Sequence, residues 1–211
     1  SYPGTGTIWY DLSGNNYDGT VSGSTFDPSG CFTFDGVTDF INLPDGVQDS
    51  YTNNVTLEMW IRQTSAKSVE YFLIGTGPVD GSDECGLWYS SGTGLRFIMF
   101  TNVDYANRSH IQVTYSVNMA DSTWHHICGT YIGTDLSGTS TIYLDGVYKA
   151  STATPGLSST LDNYGSSIGG TESGAAYAHV GDIASARLYN RALSATEVLQ
   201  NYNAHKSRFG L

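Results

Sequence analysis

Short apolar runs separated by clusters of turn residues make up most of the chain. Between Val55 and Arg62, apolar side chains occupy every second position, while Glu58 and Trp60 stand at positions between them. A period of two predicts a β-strand with one face in a core and one mixed face. Comparable runs predict further strands at 31–34, 40–43, 71–74, 86–89, 95–100, 110–117, 124–131, 141–144, 147–150 and 183–189. This spacing indicates a β-sandwich rather than alternating strands and helices.

One segment near the C-terminus departs from the strand pattern. Ser194 and Glu197 have the spacing of a capping box, in which two side chains satisfy backbone amides at the start of a helix. Val198, Leu199 and Tyr202 follow at helical spacing. We therefore expect one short C-terminal helix that packs on the sandwich.

The composition supports an all-β domain. The 211 residues include 25 Gly and 15 Tyr, and 39% of them are hydrophobic, which is enough to bury a core. Glu and Lys are scarce beside Asp and Gly, which disfavours long helices and favours turns. The pair Asp145–Gly146 suits the positive φ angles of a two-residue hairpin turn. No linker or repeat interrupts the pattern, so we expect one domain at 1–206 and a tail at 207–211.

The charge of the chain excludes two classes of partner. There are 9 Lys and Arg against 20 Asp and Glu, which gives a formal net charge of -11 at pH 7, and no basic residue precedes Arg62. A surface of this sign repels phosphates and anionic lipids. No apolar run approaches the ~18 residues that a membrane-spanning helix needs. We expect neither nucleic-acid binding nor membrane insertion.

Three cysteines, Cys31, Cys85 and Cys128, are too few and too widely spaced for a metal finger or a full disulfide framework. Two states stay open on the sequence: one disulfide with one buried thiol, or three free thiols. Free cysteines are among the most buried residue types, so small buried apolar side chains are the simplest interpretation.

Seven motifs occur in order along nearly the whole chain. They are WYDLSGN at 9–15, FDGVTDFI at 34–41, TLEMWI at 56–61, WHHI at 124–127, IYLDG at 142–146, IGG at 168–170 and GDIASARLYNRALS at 181–194. Together they resemble the concanavalin A-like lectin/glucanase superfamily, and within it the laminin G-like and pentraxin-related branch. The resemblance implies a two-sheet antiparallel jelly-roll β-sandwich. The opening segment at 2–11 is similar to domains of tailed-phage virion proteins and bacterial surface proteins.

Paired catalytic carboxylates are not evident in the sequence. Members of the superfamily that cleave polysaccharides resemble one another in a strand with acidic residues at alternating positions, which places a nucleophile and an acid on one face. No Glu has an acidic residue two positions away; the five are Glu58, Glu70, Glu84, Glu172 and Glu197. Serine-nucleophile and nucleotide-binding motifs are missing as well. We expect that the protein is not an enzyme, with a polysaccharide-cleaving enzyme as the distant alternative.

A calcium site is the metal hypothesis that the resemblance supports. Asp80 and Asp83 lie in one turn-rich segment, and Glu172 occupies a position at which pentraxin-like relatives hold calcium. Ser68 and Val69 stand where those relatives have an Asp-Asn pair of ligands, and they cannot replace it. We expect at most a structural Ca2+ at Asp80, Asp83 or Glu172, and we assign no other cofactor.

Sugar binding is the activity that we expect. It requires an exposed aromatic ring that stacks on a pyranose, with amide or carboxylate groups for the hydroxyls. The candidate ligand-binding residues are Trp88, Tyr89, Tyr105 with its neighbour Asn107, and Tyr177. The alternative is that these rings belong to the sandwich core or to contacts with other proteins.

Two interpretations of function stay open on the sequence. The first is a non-catalytic module that binds a cell-surface or environmental glycan for a larger assembly, such as a phage virion (a decoration or tail-fibre protein) or a cell surface. The second is a purely structural virion protein without glycan binding, whose partners are other virion or surface proteins. A decoration protein would form a homo-oligomer. Both interpretations place the protein on a virion surface or outside the cell.

Overall fold

The computed structural model describes residues 1–47, 54–66, 71–76, 85–100, 110–133, 137–155, 166–171 and 177–211. Within them the chain forms fifteen strands and one α-helix. The strands are β1 (Ile8–Trp9), β2 (Gly19–Ser22), β3 (Thr25–Asp27), β4 (Cys31–Asp35), β5 (Phe40–Leu43), β6 (Asn54–Gln63), β7 (Tyr71–Thr76), β8 (Cys85–Ser90), β9 (Gly94–Phe100), β10 (His110–Tyr115), β11 (Trp124–Gly133), β12 (Ser137–Leu144), β13 (Val147–Pro155), β14 (Ser166–Ile168) and β15 (Val180–Tyr189). The helix is α1 (Ala195–His205), and a 3-10 turn follows it at Lys206–Phe209. Neither of these described helical segments is long and apolar enough to cross a membrane.

The strands form two antiparallel sheets that pack face to face. The order is β1-β2-β5-β14-β7-β8-β9-β10 in the eight-stranded sheet and β13-β12-β11-β6-β15-β4-β3 in the seven-stranded sheet. Several sheet neighbours are distant in the chain, as in β5 with β14 and β6 with β15, which is typical of a jelly roll. The all-β sandwich is confirmed. The hydrophobic pattern does not predict the short strands β1, β2, β3 and β14, which contain two to four residues each.

Side chains of the two inner sheet faces form the core. Val55, Leu57, Met59 and Ile61 of β6 are 0% exposed, so the core face predicted by the period of two is confirmed. Phe97 of β9 belongs to the same core from the opposite sheet and is also 0% exposed. Full burial of one such side chain stabilises the fold by about 1.5–3 kcal/mol.

The corner between β4 and β5 carries the chain from the seven-stranded to the eight-stranded sheet. Asp35 accepts hydrogen bonds from the amides of Val37 and Thr38 at 2.7 and 3.1 Å. The buried carboxylate of Asp39 accepts a hydrogen bond from the Asp35 amide at 2.9 Å. Gly36 has a φ of 75°, which glycine adopts without steric cost. Both carboxylates therefore serve backbone amides of the corner.

The predicted hairpin turn joins β12 to β13. Asp145 and Gly146 have φ angles of 53° and 74°, and Leu144 pairs with Val147 across the turn. These angles confirm the two-residue turn with positive φ. The Asp145 carboxylate also accepts a hydrogen bond from the His126 amide at 3.0 Å. The turn is therefore fixed to the neighbouring strand β11.

The C-terminal segment covers the outer face of β6. The predicted capping box is present: Ser194 accepts a hydrogen bond from the Glu197 amide, and Glu197 accepts one from the Ser194 amide at 2.8 Å. Trp60 stacks on Tyr202 of α1 and on Phe209 of the 3-10 turn, with ring centroids 5.7 and 4.3 Å away. Trp60 is only 1% exposed, so the face predicted as mixed is buried. We call this region, beneath α1 and the 3-10 turn, the covered face.

All three cysteines are buried and free. Of the two states left open by the sequence, the structure has three free thiols. Burial raises the pKa of the Cys31, Cys85 and Cys128 thiols, which keeps them protonated at neutral pH. They act as small apolar side chains in the fold.

Candidate functional site

Trp88 and Tyr89 are neighbours on β8 and therefore point to opposite faces of the eight-stranded sheet. Tyr89 points into the core and is 0% exposed. Its hydroxyl oxygen accepts a hydrogen bond from the Met119 amide at 3.0 Å. A ring without an exposed face cannot stack on a sugar, so the assignment of Tyr89 to a ligand platform is corrected. Of these two residues, only Trp88 lies on the outer face.

Trp88 belongs to an aromatic cluster on the outer face of the eight-stranded sheet. Its ring is edge-on to Phe72 and to Tyr177, with centroid separations of 5.0 and 5.7 Å. Trp88 and Ile98 are each 5% exposed, and Tyr177 is partly buried against them. We call Phe72, Trp88, Ile98 and Tyr177 the outer aromatic cluster. The fold thus brings together two candidate residues, Trp88 and Tyr177, that are far apart in the sequence.

Gly86 makes room for this cluster on β8. A Cβ atom at Gly86 would lie 2.8 Å from the indole Nε1 of Trp88 and 3.2 Å from Cε2 of Phe72. Both separations are shorter than an ordinary van der Waals contact, so any side chain at this position would displace the two rings. The glycine therefore lets the indole lie close to the backbone of its own strand.

A row of polar side chains crosses the same face beside the cluster. Arg96 pairs with Trp88 across β8 and β9 and with Thr114 across β9 and β10, so these three residues share a face. Arg96 Nη1 donates to Gln112 Oε1 at 3.4 Å, and Gln112 Nε2 donates to Thr114 Oγ1 at 2.8 Å. We call Arg96, Gln112 and Thr114 the polar row. None of these three residues was among the predicted site residues, although the alternation along β9 and β10 contains the signal.

The remaining candidate residues lie outside the described part of the chain. They are Tyr105 and Asn107 for sugar contact, and Asp80, Asp83 and Glu172 for Ca2+. All five stay predictions. Residues 77–84 connect β7 to β8, and residues 101–109 connect β9 to β10, so both segments join strands of the eight-stranded sheet.

The described residues do not fit a calcium site. Among them, no group of three or more His, Cys, Asp or Glu side chains could hold a metal ion. The acidic pair Asp35 and Asp39 uses its carboxylates for backbone amides. Burial also raises the pKa of Asp39. We therefore derive no function from the calcium site that the resemblance implies.

One polar cluster at the start of β11 resembles a catalytic triad in its spacing. His125 lies 3.0 Å from Asp145 through Nδ1 and 3.1 Å from the Thr123 hydroxyl through Nε2. The Thr123 hydroxyl, however, donates to Asp121 at 2.8 Å. The hydrogen bond that His125 donates to the Asp145 carboxylate raises the pKa of His125, and Asp121 adds to this against the effect of burial. Because the Thr123 hydroxyl already donates its proton to Asp121, it is not positioned to give that proton to His125, so the cluster stabilises a turn.

Glu58 lies buried on the covered face and is fully engaged there. Arg187 Nη1 donates to it at 2.6 Å, Asn201 Nδ2 donates to it at 2.7 Å, and His126 Nε2 lies 3.4 Å away. Burial opposes ionisation, but His126, Asn201 and Arg187 outweigh burial and hold the pKa of Glu58 below its usual range. An ionised carboxylate beneath a helix is in no position to transfer a proton to a substrate.

Two antiparallel sheets with jelly-roll connections, and with aromatic and polar side chains on an outer face, define a lectin-like β-sandwich. The chain belongs to the concanavalin A-like lectin/glucanases superfamily, because residues 35–199 match the Laminin_G_3 family model. No curated protein sequence matches the chain significantly.

Solved structures with the same fold belong to larger proteins. The binding domain of Paraclostridial Mosquitocidal Protein 1 has a TM-score of 0.72 and 18% identity over 93% of this chain and 49% of its own. Trypanosoma rangeli sialidase in complex with 2,3-difluorosialic acid has a TM-score of 0.70 and 19% identity over 99% and 32%. The binding domain of botulinum neurotoxin DC in complex with SialylT has a TM-score of 0.66 and 14% identity over 92% and 48%. Identities this low show the fold alone, and the chain spans about half or less of each structure.

Proposed function

We propose that the protein is a non-catalytic recognition module that binds a glycan through the outer aromatic cluster. The observation that carries this proposal is the meeting of Trp88 and Tyr177 beside the polar row on one outer sheet face. Sugar sites combine aromatic rings for the apolar face of a pyranose with a few polar groups that fix its hydroxyls. The outer aromatic cluster and the polar row supply both.

The two rings have different roles in the proposed site. Tyr177 is partly exposed and offers the contact surface, while Trp88 is 5% exposed and holds Tyr177 edge-on from below. The indole N–H of Trp88 has no acceptor among the described residues. A buried donor without a partner costs about 1–3 kcal/mol. A ligand hydroxyl that accepts this hydrogen bond would remove that cost.

The acidic and basic groups of the described residues support a non-catalytic role. Glycosidases need two carboxyl groups ~5–9 Å apart across the scissile bond. Glu58 is held by Arg187 and Asn201 beneath α1, and Glu197 serves as the cap of the same helix. No acidic side chain belongs to the outer aromatic cluster or to the polar row. The described residues thus give a polysaccharide-cleaving enzyme no support.

We place the module at the surface of a larger assembly, on a virion or outside a cell. The similar structures support this proposal, because the matching region forms about half or less of those chains, two of which are toxin binding domains. SialylT is bound by the neurotoxin binding domain, and 2,3-difluorosialic acid is bound by the sialidase. Sialylated glycans therefore belong among the first candidates for this chain, beside neutral ones.

The test is a glycan array probed with the protein and three variants. Tyr177→Ala removes the exposed ring, and Trp88→Phe keeps most of the packing but removes the indole N–H. The matched control is Tyr148→Ala, since Tyr148 is 54% exposed on β13, in the other sheet. We expect Tyr177→Ala to weaken binding of a glycan hit about tenfold, because aromatic contacts contribute up to ~1.5 kcal/mol beyond buried area. Trp88→Phe should weaken binding less, and the control should bind as wild type does.

A blank array would overturn glycan recognition and leave the purely structural interpretation. A glycan hit that is equally bound by all variants would show that the outer aromatic cluster is not the site. Light scattering of the same samples bears on the alternative, because a decoration or fibre protein should form a symmetric oligomer. A blank array together with a strict monomer would argue against both interpretations.

A further inference from the structure

A concave region lies between the N-terminal segment and strands β4 and β15. It is a cavity of about 820 Å3, near the upper end of the ~300–1,000 Å3 that is usual for ligand pockets. None of the outer aromatic cluster lines it. We call this cavity the end cleft. The residues that line it include Trp9, Tyr10, Tyr17, Arg187, Asn190 and Arg208.

The N-terminal wall of the end cleft is held in shape by its own carboxylates. Asp11 accepts hydrogen bonds from the amide and the hydroxyl of Ser13 at 2.8 and 2.6 Å, and from the Tyr17 amide at 3.2 Å. Asp18 accepts one from the Asp11 amide at 2.8 Å. Burial opposes ionisation of Asp11, but the hydrogen bonds from Ser13 and Tyr17 outweigh it and lower the pKa. The wall is therefore ordered before any ligand arrives, which lowers the entropy cost of binding.

Aromatic rings form the floor of the end cleft. Tyr2 packs on Phe26 and Phe32 with centroid separations of 4.7 and 4.9 Å, and Trp9 packs on Phe32 at 5.1 Å. Above this floor, Tyr10 is 49% exposed. Packing below fixes the partly buried rings, while Tyr10 presents an open face. The exposed Tyr10 ring, above rings held by mutual packing, suits the apolar face of a sugar ring.

The rings of the cleft also have polar edges. The indole N–H of Trp9 and the hydroxyls of Tyr10 and Tyr17 belong to residues that line it. Asn190 lies exposed on the opposite wall. A purely apolar ligand would desolvate these groups without pairing them, which is unfavourable. A ligand with hydroxyl groups would pair them.

The charged groups of the end cleft are already engaged with the protein. Arg187 donates to the buried Glu58 at 2.6 Å and also contacts His205. Arg208 Nη2 donates to the carbonyl oxygen of Gly30 at 2.7 Å. The Asp11 carboxylate is used by its own loop, as described above. Recruiting any of these groups for a charged ligand would break existing interactions, which favours an uncharged one.

We propose that the end cleft is a second binding site, which takes a neutral oligosaccharide. The inference rests on the proposed saccharide recognition but uses a different surface and different residues. The volume of about 820 Å3 favours several sugar rings over one. Tyr10 stacks on the ligand, and the polar edges of Trp9 and Tyr17 with Asn190 bind its hydroxyls.

The experiment measures binding by titration calorimetry and by tryptophan fluorescence, since Trp9 lies in the cleft. The probes are cello-, malto-, manno- and xylohexaose, their monosaccharides, and hexagalacturonate as the acidic ligand of equal length. We expect at least one neutral hexasaccharide to bind tenfold or more tightly than its monosaccharide and than hexagalacturonate. Trp9→Phe should remove the fluorescence response.

Variants assign that binding to the end cleft. Tyr10→Ala should weaken the hexasaccharide about five- to tenfold, and Tyr17→Phe, which loses only a hydroxyl, should weaken it about threefold. Tyr148→Ala is the matched control and should have no effect. A urea titration of each variant checks folding, and the exposure of Tyr10 makes its removal tolerable. Any of three results would overturn the inference. They are no binding of any neutral hexasaccharide, tighter binding of hexagalacturonate than of the neutral probes, and hexasaccharide binding that Tyr10→Ala leaves unchanged.

The two sites can fail separately. If array binding depends on Tyr177 and Tyr10→Ala weakens the binding of no hexasaccharide, the proposed function is supported. The end cleft is then not a binding site. If binding depends on Tyr10 alone, the end cleft is supported and the outer aromatic cluster is not the glycan site. If no saccharide of either kind binds, both proposals are wrong.

Discussion

Two tryptophans lie on the outer faces of the two sheets, and their surroundings differ. Trp60, on the seven-stranded sheet, is 1% exposed and stacks face to face on Tyr202 and Phe209. Trp88, on the eight-stranded sheet, is 5% exposed and packs edge-on against Tyr177 beside the polar row. The indole N–H of each lacks an acceptor among the described residues. An unpaired indole therefore does not by itself separate a ligand site from a packed face.

The two faces differ in how the rings pack against the rest of the chain. On the covered face, parallel stacking uses the flat surface of Trp60, and the buried Glu58 is paired with Arg187. On the other face, the edge-on contact leaves part of Tyr177 exposed, with an amide and a guanidinium group nearby. Trp88 is itself buried, so the candidate contact surface on this face is the exposed part of Tyr177.

The largest expected effect separates the two tryptophans by stability. Trp60→Ala should lower the free energy of unfolding by about 3–5 kcal/mol, as large core truncations do, and should loosen α1. Trp88→Ala should cost less, because its cluster does not anchor a helix. Urea unfolding followed by circular dichroism measures both. Equal losses of unfolding free energy in the two variants would contradict the comparison. If Trp60→Ala does not fold, Phe209→Ala replaces it, because that variant removes one stacking partner of Trp60.

A smaller effect concerns the ion pair of the covered face. Glu58→Gln should cost about 1.5–3 kcal/mol, the usual value of a hydrogen bond to a charged group. The folded pKa of Glu58 is lowered, so its contribution is present above the unfolded pKa of ~4.3 and is lost as the pH falls through the folded pKa. The difference between wild type and variant should therefore shrink in acid. A pH-independent difference in urea unfolding would argue against the pairing.

The smallest expected effect contrasts two histidines. The pKa of His125 is raised by Asp145, so its contribution is present below the unfolded pKa of ~6.5 and is lost as the pH rises through the folded pKa. It should stay below about 1 kcal/mol, because the side chains of Asp145 and Asp121 are 33% and 44% exposed and solvent screens both pairs. Burial and Arg187 lower the pKa of His205, so His205 should have the opposite trend. We expect the stability difference from wild type, measured by thermal unfolding between pH 5 and 9, to change with pH in opposite directions for His125→Gln and His205→Gln. The same direction in both variants would contradict the contacts described.

Local patterns predicted the fold well because their causes are local. Alternation along β6, the turn at Asp145–Gly146 and the capping box at Ser194 each depend on residues a few positions apart. The covering of Trp60 by Phe209 depends on residues 149 positions apart, and no short pattern reports it. The period of two therefore identified the core face of β6 but not the burial of its other face.

The candidate sites were harder to predict for the same reason. Adjacent aromatic residues on a strand must face opposite sides, yet Trp88 and Tyr89 alone do not show which side is the core. The structure decides it through the core neighbours of Tyr89, among them Tyr71 at a ring separation of 6.0 Å. The end cleft joins Trp9 and Tyr10 to Arg208 across nearly the whole chain. Trp9 and Tyr10 belong to a recognisable sequence motif, but no local pattern shows that Arg208 lies opposite them.

The three buried thiols have a consequence for where the fold can form. Small secreted domains often depend on disulfides, which persist only in oxidising compartments. Here Cys31, Cys85 and Cys128 are all free and protected by burial, so no disulfide contributes to the stability of the sandwich. The domain should have the same stability in reducing and oxidising media. It can therefore fold in the reducing interior of a cell and keep that structure in an oxidising exterior.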